Sequence, residues 1–378
     1  MATISGRMDS YDNTVPRKRM VTDKILMVDV FERKTVDALG LDNMSKFRFV
    51  NTPNRTYEWL EDLYVTTTDS LTSSGGLTSG TTTTTCLVTT PALYNVGDVL
   101  LIDSELIWVS GISSSTLTIV RDYGGTAATH ANSATIEIVS NARLEGTDAD
   151  DSPSTAVTST SNVSQIFQRT IDVSRSDQLF PNYGISDIVD YFTQKKMDEL
   201  VMFLNKVPYR GTLNAGSSSH ASGRSAAGWD VHITTNVTAA GTVALTRDHI
   251  DDELESIYTA GGSTDALFCN TFQQRRLNAI YEGFIRTERS EKTGGNRIEW
   301  LENPIGGRPI QIIVDRHCPS SKVYLIDRRH TGYITIDPFF VEPLAQAGDA
   351  DKFQVVGEYG FVTAFEKAHA IISGLTTS

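Results

Sequence analysis

The sequence predicts an α+β fold, and three observations carry that expectation. One long amphipathic helix pattern occupies residues 184–208. Strand and helix patterns follow one another irregularly over 246–316, and a block of closely spaced short strands fills 85–139 between two Thr/Ser/Gly-rich stretches. In GISDIVDYFTQKKMDELVMFLNKVP, Ile185, Ile188, Val189, Phe192, Leu200, Phe203, Leu204 and Val207 share a broad face at 3.6 residues per turn, whereas Asp187, Asp190, Gln194 and Asp198 fall opposite. Ser186 is the expected N-cap, Asp187 suits the positive first turn, and Pro208 is the expected stop because it has no N–H to donate. Met197 and Val201 lie off the stripe, which implies that a second element covers part of the other side. A helix of about 22 residues spans about 33 Å, long enough to carry other elements along its length.

The remaining elements follow in order. Residues 1–52 read as an arm without a core of its own, with a basic cluster at Pro16-Arg17-Lys18-Arg19 and a short helix within 22–39. From Pro53 the chain turns extended, with Tyr57, Trp59, Leu60, Leu63, Tyr64 and Val65, and its expected antiparallel return is the run Val163, Ile166, Phe167, Ile171 and Val173 within 161–176. Residues 66–84 and 145–162 read as linkers around a β-module at 85–139, in which CLVTT, VGDVLLIDSELIWVSGI, TLTIVRDYGG and ATIEIV are strands separated by turn residues. A small barrel or sandwich is the natural solution.

After the long helix, 210–228 reads as a small polar loop and 229–246 as a hairpin. Thr246 then caps a helix whose Ile250, Leu254 and Ile257 face a core. DALFCN from Asp265 is a buried strand, 271–284 a helix and 285–296 a charged, glycine-tipped loop. Strands at 297–301 and 308–316 flank the turn at Asn303 to Gly307, and KVYLID, GYITID and FFVEPL continue the β character. Two closing strands lie within 348–375, framed by Val355, Val356, Tyr359, Phe361, Phe365 and Ile371.

Composition narrows the function classes. No apolar run in the 378 residues approaches the roughly 20 needed to cross a bilayer, so no membrane partner is expected. The first residues lack the apolar core of a signal peptide, and Cys86, Cys269 and Cys318 are too few and too far apart for a disulfide framework. A net charge of −13, from 46 acidic against 33 basic residues, argues against tight sequence-reading of nucleic acid. Candidate chemistry is thin. Glu105, Asp122 and His130 lack metal-ligand spacing, and the acidic helix with Asp248, Asp251, Asp252, Glu253 and Glu255 reads as a solvated face. Neither Gly294 nor Gly306 opens a phosphate-loop motif, and no HExxH motif or nucleophile elbow is present. No cofactor, metal or catalytic residue is expected, and no substitution among Glu105, Asp122, Asp251, Glu255 or Glu358 should abolish a turnover.

Several phrases resemble one family. TYEWLEDLY at 56–64, VGDVLLIDSELIWVSGISSSTLTIVRDYGGT at 96–126, NPIGGRPIQIIVDR at 303–316 and, most specifically, GDADKFQVVGEYGFVTAFEKAHAIISGL at 348–375 are similar to major capsid proteins of tailed bacteriophages with the HK97-type fold, in the branch whose extended loop carries a β-module. The resemblance covers the chain from about residue 50 onward. It implies an N-terminal arm (1–52), an extended loop (53–175) carrying the module (85–139), a peripheral domain with the spine helix (176–245), an axial domain (246–336) and a return to the peripheral domain (337–378). It also implies a non-enzymatic structural protein of the virion, assembled in the host cytoplasm. Its partners would be itself in pentamers and hexamers, a portal, scaffold or decoration proteins, and packaged DNA held non-specifically at the inner face. Glu58, Glu61, Asp62, Arg286, Arg289, Lys292 and Arg297 are the candidate intersubunit contacts, the last four set against a neighbour's acidic helix 248–257. The lysine-asparagine crosslink of some relatives matches no positions here. A tail or decoration protein, and less so a β-rich hydrolase, are the competing readings.

Overall fold

The computed structural model describes residues 32–41, 54–62, 64, 66–73, 75–147, 157–180, 185–217, 222–282, 298–345 and 348–377. The chain divides into two compact units, one formed by 60–160 and the other by 1–59 together with 161–378. In chain order the elements begin with α1 (Lys34–Leu39), β1 (Thr56–Glu61), β2 (Thr68–Ser70), β3 (Thr85–Leu87), β4 (Asp98–Ile102), β5 (Glu105–Ser113), β6 (Thr116–Val120) and β7 (Thr135–Asn141). They continue with β8 (Thr158–Val163), β9 (Gln165–Ser174), α2 (Arg175–Leu179), α3 (Ile188–Arg210), α4 (Trp229–His232), β10 (Val237–Val243), α5 (Arg247–Thr259), β11 (Ala266–Cys269) and α6 (Thr271–Tyr281). The chain closes through β12 (Trp300–Leu301), β13 (Ile310–Val314), β14 (Val323–Ile326), β15 (Thr331–Pro343), β16 (Ala350–Thr363) and β17 (Ala370–Leu375).

The larger unit is layered about a six-stranded mixed sheet in the order β10-β17-β14-β11-β13-β12. Every residue of β11 and β14 is buried, because helices cover the sheet on both faces. Period-two alternation sorts their side chains. Ala266, Phe268, Tyr324, Ile326 and Ile371 join the cluster that holds Leu200, Leu204 and Val207 of α3, whereas Leu267, Cys269, Val323, Leu325 and Ile372 join Ile250, Leu254 and Ile257 of α5 and Leu277 of α6. A second, three-stranded sheet, β15-β16-β9, adds Phe167, Ile171, Val355 and Phe361 to the α3 cluster. Trp229 sits in that cluster fully buried, its ring centroid 5.0 to 5.9 Å from those of Tyr209, Phe268, Tyr324 and Phe361. Its Nε1–H donates to Thr331 Oγ1 at 3.1 Å. The chain reaches it through Gly228, where a Cβ would lie 2.3 Å from the Val207 carbonyl oxygen, so only glycine passes so close to the end of α3.

Helix α3 has 23 residues and starts one residue later than its sequence suggests. Asp187, not Ser186, is the N-cap, and its carboxylate accepts from Val189 N and Asp190 N. Pro208 lies inside the helix rather than ending it. The N–H that proline lacks would have gone to the Leu204 carbonyl, which instead accepts the Tyr333 hydroxyl at 3.2 Å. Val201 is buried although it lies off the main stripe, as a second covering element requires.

Other expectations are corrected in this unit. Residues 34–39 pack into the larger unit, since Val36 and Leu39 of α1 enter the α3 cluster. The expected return strand is split: β8 pairs with β1, whereas β9 pairs along its whole length with β16. The expected hairpin at 229–246 is a single helical turn, α4, followed by β10, which pairs in parallel with β17. GYITID and FFVEPL form one 13-residue strand, β15, with irregular pairing near Asp337. Residues 214 and 225 exchange both backbone hydrogen bonds at 3.0 Å, so the 210–228 stretch is tied at its neck.

Unit 60–160 is a small closed barrel. Its strands run β2-β7-β4-β5-β6-β3, and the two ends of that order meet through the antiparallel bridge Leu71↔Val88. Thr72 N donates to Leu87 O at 2.8 Å and Thr89 N to Ser70 O at 3.2 Å, which leaves no open sheet edge there. The unit is wider than 85–139. The Thr/Ser/Gly stretch 66–84 is not a linker, since it supplies β2 and buries Leu71 and Leu77 in the barrel core. Its low apolar content hides two core residues.

Candidate interaction surfaces

The barrel buries a cluster of charged side chains. Glu105 opens β5 directly after the turn at Asp103 and Ser104, Arg121 follows β6, and His130 bridges to Leu77. Arg121 clamps Glu105 through Nε at 2.8 Å and Nη2 at 2.6 Å, and also donates to the carbonyl oxygens of Thr78, at 2.8 Å, and Ala128. Ala128 N donates to Glu105 at 2.9 Å. His130 lies between two carboxylates, with Nε2 2.9 Å from Glu105 and Nδ1 2.7 Å from Asp103. Burial pushes the Glu105 carboxyl up, but the hydrogen bonds from Arg121, Ala128 and His130 outweigh it and hold the group at about 2. The three residues that looked weakest as a site do come together in part, yet as a satisfied internal cluster. Asp122 touches it only through its backbone N–H, 3.4 Å from Glu105.

The larger unit holds two comparable hubs. Asp315 Oδ2 accepts Thr35 Oγ1 at 2.6 Å and Asn205 Nδ2 at 2.7 Å, while Thr35 Oγ1 lies 2.6 Å from the Tyr209 hydroxyl and Asn205 Oδ1 accepts from Thr35 N and Val36 N. This buried network pins α1 to α3 and the end of β13. Sequence reading missed it because each member is an ordinary residue until the fold assembles them. Asp327 is the second hub, held by Arg329 at 2.6 Å and His330 Nδ1 at 3.0 Å. Burial pushes its carboxyl up, and these hydrogen bonds more than reverse the shift. Behind it, His369 is fully buried, accepts from Asp327 N at 3.1 Å and has its Nε2 3.1 Å from Ala364 O; burial lowers it to about 4.

None of this is an open reactive centre. Among the described residues no group of His, Cys, Asp and Glu has the arrangement of a metal site. The thiols of Cys86, Cys269 and Cys318 are free and buried; burial pushes Cys86 to about 11 and Cys269 to about 12. Among the carboxylates of the acidic helix α5 only Glu253 is buried, and burial raises its carboxyl. No described helix is long and apolar enough to cross a membrane. Among the candidate contacts, Glu58 and Asp62 are exposed and Glu61 half-buried along and just after β1. Arg286, Arg289, Lys292 and Arg297 lie outside the described residues, as does the basic cluster at 16–19.

The same fold recurs in solved capsids. The capsid asymmetric unit of cyanophage A-1(L) matches with a TM-score of 0.58 and 12% identity over 98% of this chain and 100% of that one. Microbacterium phage Oxtober96 matches at 0.52 and 13% over 97% and 98%, and the capsid of an empty GTA particle at 0.51 and 9% over 95% and 96%. A search of curated protein sequences finds no match. The family model for the SU10 major capsid protein matches residues 4–376. The chain belongs to the SU10 major capsid protein family, and its role is structural, not enzymatic.

Proposed function

We propose that copies of this chain associate into pentamers and hexamers and close an icosahedral phage head around double-stranded DNA. The observation that carries the reading is the capsid fold, matched across almost the whole chain to the asymmetric unit of a phage capsid. In this reading the fold is of the HK97 type. Helix α3 is the spine of a peripheral domain (176–245), residues 246–336 form the axial domain, 337–378 return to the peripheral domain, and 1–52 are the arm. The paired strands β1 and β8 carry the chain into and out of the barrel, as an extended loop (53–175) bearing a module would. Portal, scaffold or decoration proteins are further partners, the inner face meets DNA without reading its sequence, and assembly takes place in the host cytoplasm.

Imaging of purified particles tests the proposal. Closed shells with five-fold and six-fold capsomers are expected, and tubes, tail-like assemblies or dispersed protein would overturn it.

A further inference from the structure

The larger unit carries two exposed charge features of opposite sign that no contact among the described residues neutralises fully. The first is a cleft of about 430 Å³ at the C-terminal end of α3, walled by Lys206, Arg210, Arg316, His317 and Asn270. Lys206 and Arg210 lie one helical turn apart, and Arg316 and His317 enter from the loop after β13. The helix macrodipole accounts for cations in the last turn of α3 but not for Arg316 or His317. Arg316 approaches one carboxylate, Glu32, through Nε at 3.6 Å, with half its side chain exposed. Lys206 is engaged by the Phe203 ring, 5.7 Å from its centroid. His317 Nε2 is buried and has no hydrogen-bond partner among the described residues. Burial lowers the His317 imidazole, and Lys206 and Arg316 add to that against the opposite pull of Asp315 and Glu32. Three cations lining one cleft suit a carboxylate.

The second feature lies along α5. Asp248, Asp252 and Glu255 are exposed and fall at i, i+4 and i+7, so they form one stripe about 10 Å long. Arg247 is committed to Asp251 at 3.0 Å, and Lys367 shares a shallow cleft with Asp252 and Glu255. A favourable first-turn dipole explains Asp248 alone.

We propose that the Lys206/Arg210/Arg316 cleft of one copy receives the Asp248/Asp252/Glu255 stripe of α5 from a neighbouring copy. The inference rests on the capsid reading, which requires many copies to meet through repeated contacts. A contact between different patches of identical chains is heterologous and generates rings when its rotation closes. Copies of net charge −13 repel one another, so a local positive socket for a negative ridge offsets that repulsion where it matters and fixes which face meets which. Phosphates of nucleic acid are the other anions such a cleft would take. The stripe favours the protein partner, because a basic socket and an acidic ridge occur on the same chain.

A charge swap tests the pairing. Lys206→Glu with Arg210→Glu, and separately Asp252→Lys with Glu255→Lys, should each lower the yield of closed particles about tenfold. Combining all four substitutions should return the yield to within about twofold of the original chain. Chains carrying Arg210→Cys and Asp252→Cys, expressed together, should form disulfide-linked pairs in oxidised particles, an arm that leaves most of the charge in place. Failure of the combined chain to recover, or absence of the crosslink in particles that do form, overturns the pairing. Normal particles from the Lys206→Glu/Arg210→Glu chain with less retained DNA would make the cleft a phosphate site and also overturn it. If the unmodified chain forms no shells, the capsid reading fails together with this inference; if it does and the swap fails, only the pairing is wrong.

Discussion

The barrel of residues 60–160 and the layered unit hold their interiors by different means. The barrel surrounds a small, mainly aliphatic core with closed hydrogen-bonding and keeps a fully buried Arg121–Glu105–His130 cluster beside it. The layered unit stacks aromatic rings on Trp229 and satisfies a buried carboxylate, Asp315, with the neutral donors Thr35 and Asn205. A small unit buries a smaller share of its unfolded surface than a large one, so its polar interior must be complete to be tolerated. The lesson is that buried charge in the barrel serves to fix one arrangement of loops. Arg121 alone joins Glu105 to the carbonyls of Thr78 and Ala128.

The strongest test of that contrast removes one charge. Arg121→Ala leaves Glu105 buried without its guanidinium partner, held only by His130 and backbone N–H groups, and should cost the barrel about 3 to 5 kcal/mol. Replacing the cluster by apolar residues of similar size (Arg121→Met, Glu105→Leu, His130→Leu) should recover most of that loss, because the desolvation penalty goes with the attraction. Hydrogen exchange resolved to residues 98–120 would measure both. A loss below about 1 kcal/mol for Arg121→Ala would mean the cluster is a surface pair in effect, and the contrast would collapse.

Acid should separate the two units. His369 is neutral in the fold and lowered to about 4, against 6.5 when unfolded, so its contribution is present above pH 6.5 and is lost as pH falls towards 4. Glu105 is held at about 2 against 4.5, so its contribution is present above pH 4.5 and is lost only as pH falls towards 2. Between pH 6.5 and 4.5 the layered unit should therefore weaken while the barrel holds. Exchange rates near β17 and near β5 followed across this range would show it, and simultaneous weakening of both would refute the assignment.

Much of this architecture was readable from the residues. Strong periodicity placed α3, α5, α6 and the barrel strands, because each is one local pattern, and at α5 the cap was legible too: Thr246 accepts from His249 N as its position suggests. What escaped was decided by partners far away in sequence. The split between β8 and β9 depends on β16, nearly two hundred residues downstream by the Ser164–Glu358 hydrogen bond. Leu71 and Leu77 looked like isolated residues in a flexible tract, yet barrel closure buries both. The Lys206/Arg210/Arg316 cleft was illegible for the same reason, since its cations come from segments more than a hundred residues apart.

The smallest expected effect concerns one hydrogen bond in the layered unit. Pro208 deprives the Leu204 carbonyl of its helical donor, and the buried Tyr333 hydroxyl replaces it at 3.2 Å. If that is the role of the hydroxyl, Tyr333→Phe should cost about 1 to 3 kcal/mol, the penalty for leaving a buried acceptor unsatisfied. Pro208→Ala restores an N–H at the position from which an α-helix would supply the bond, at little cost of its own because alanine suits a helix interior. In a chain already carrying Pro208→Ala, Tyr333→Phe should therefore cost less than half as much as in the natural chain. The coupling measured by that double-mutant cycle is the quantity of interest, since the two residues share a single acceptor. Equal costs in both backgrounds would show that Tyr333 contributes through the packing of its ring against Phe361, 5.3 Å away, and not through its hydroxyl. The layered unit would then differ from the barrel more sharply, as an interior that depends on apolar contact at this position rather than on a directed polar bond.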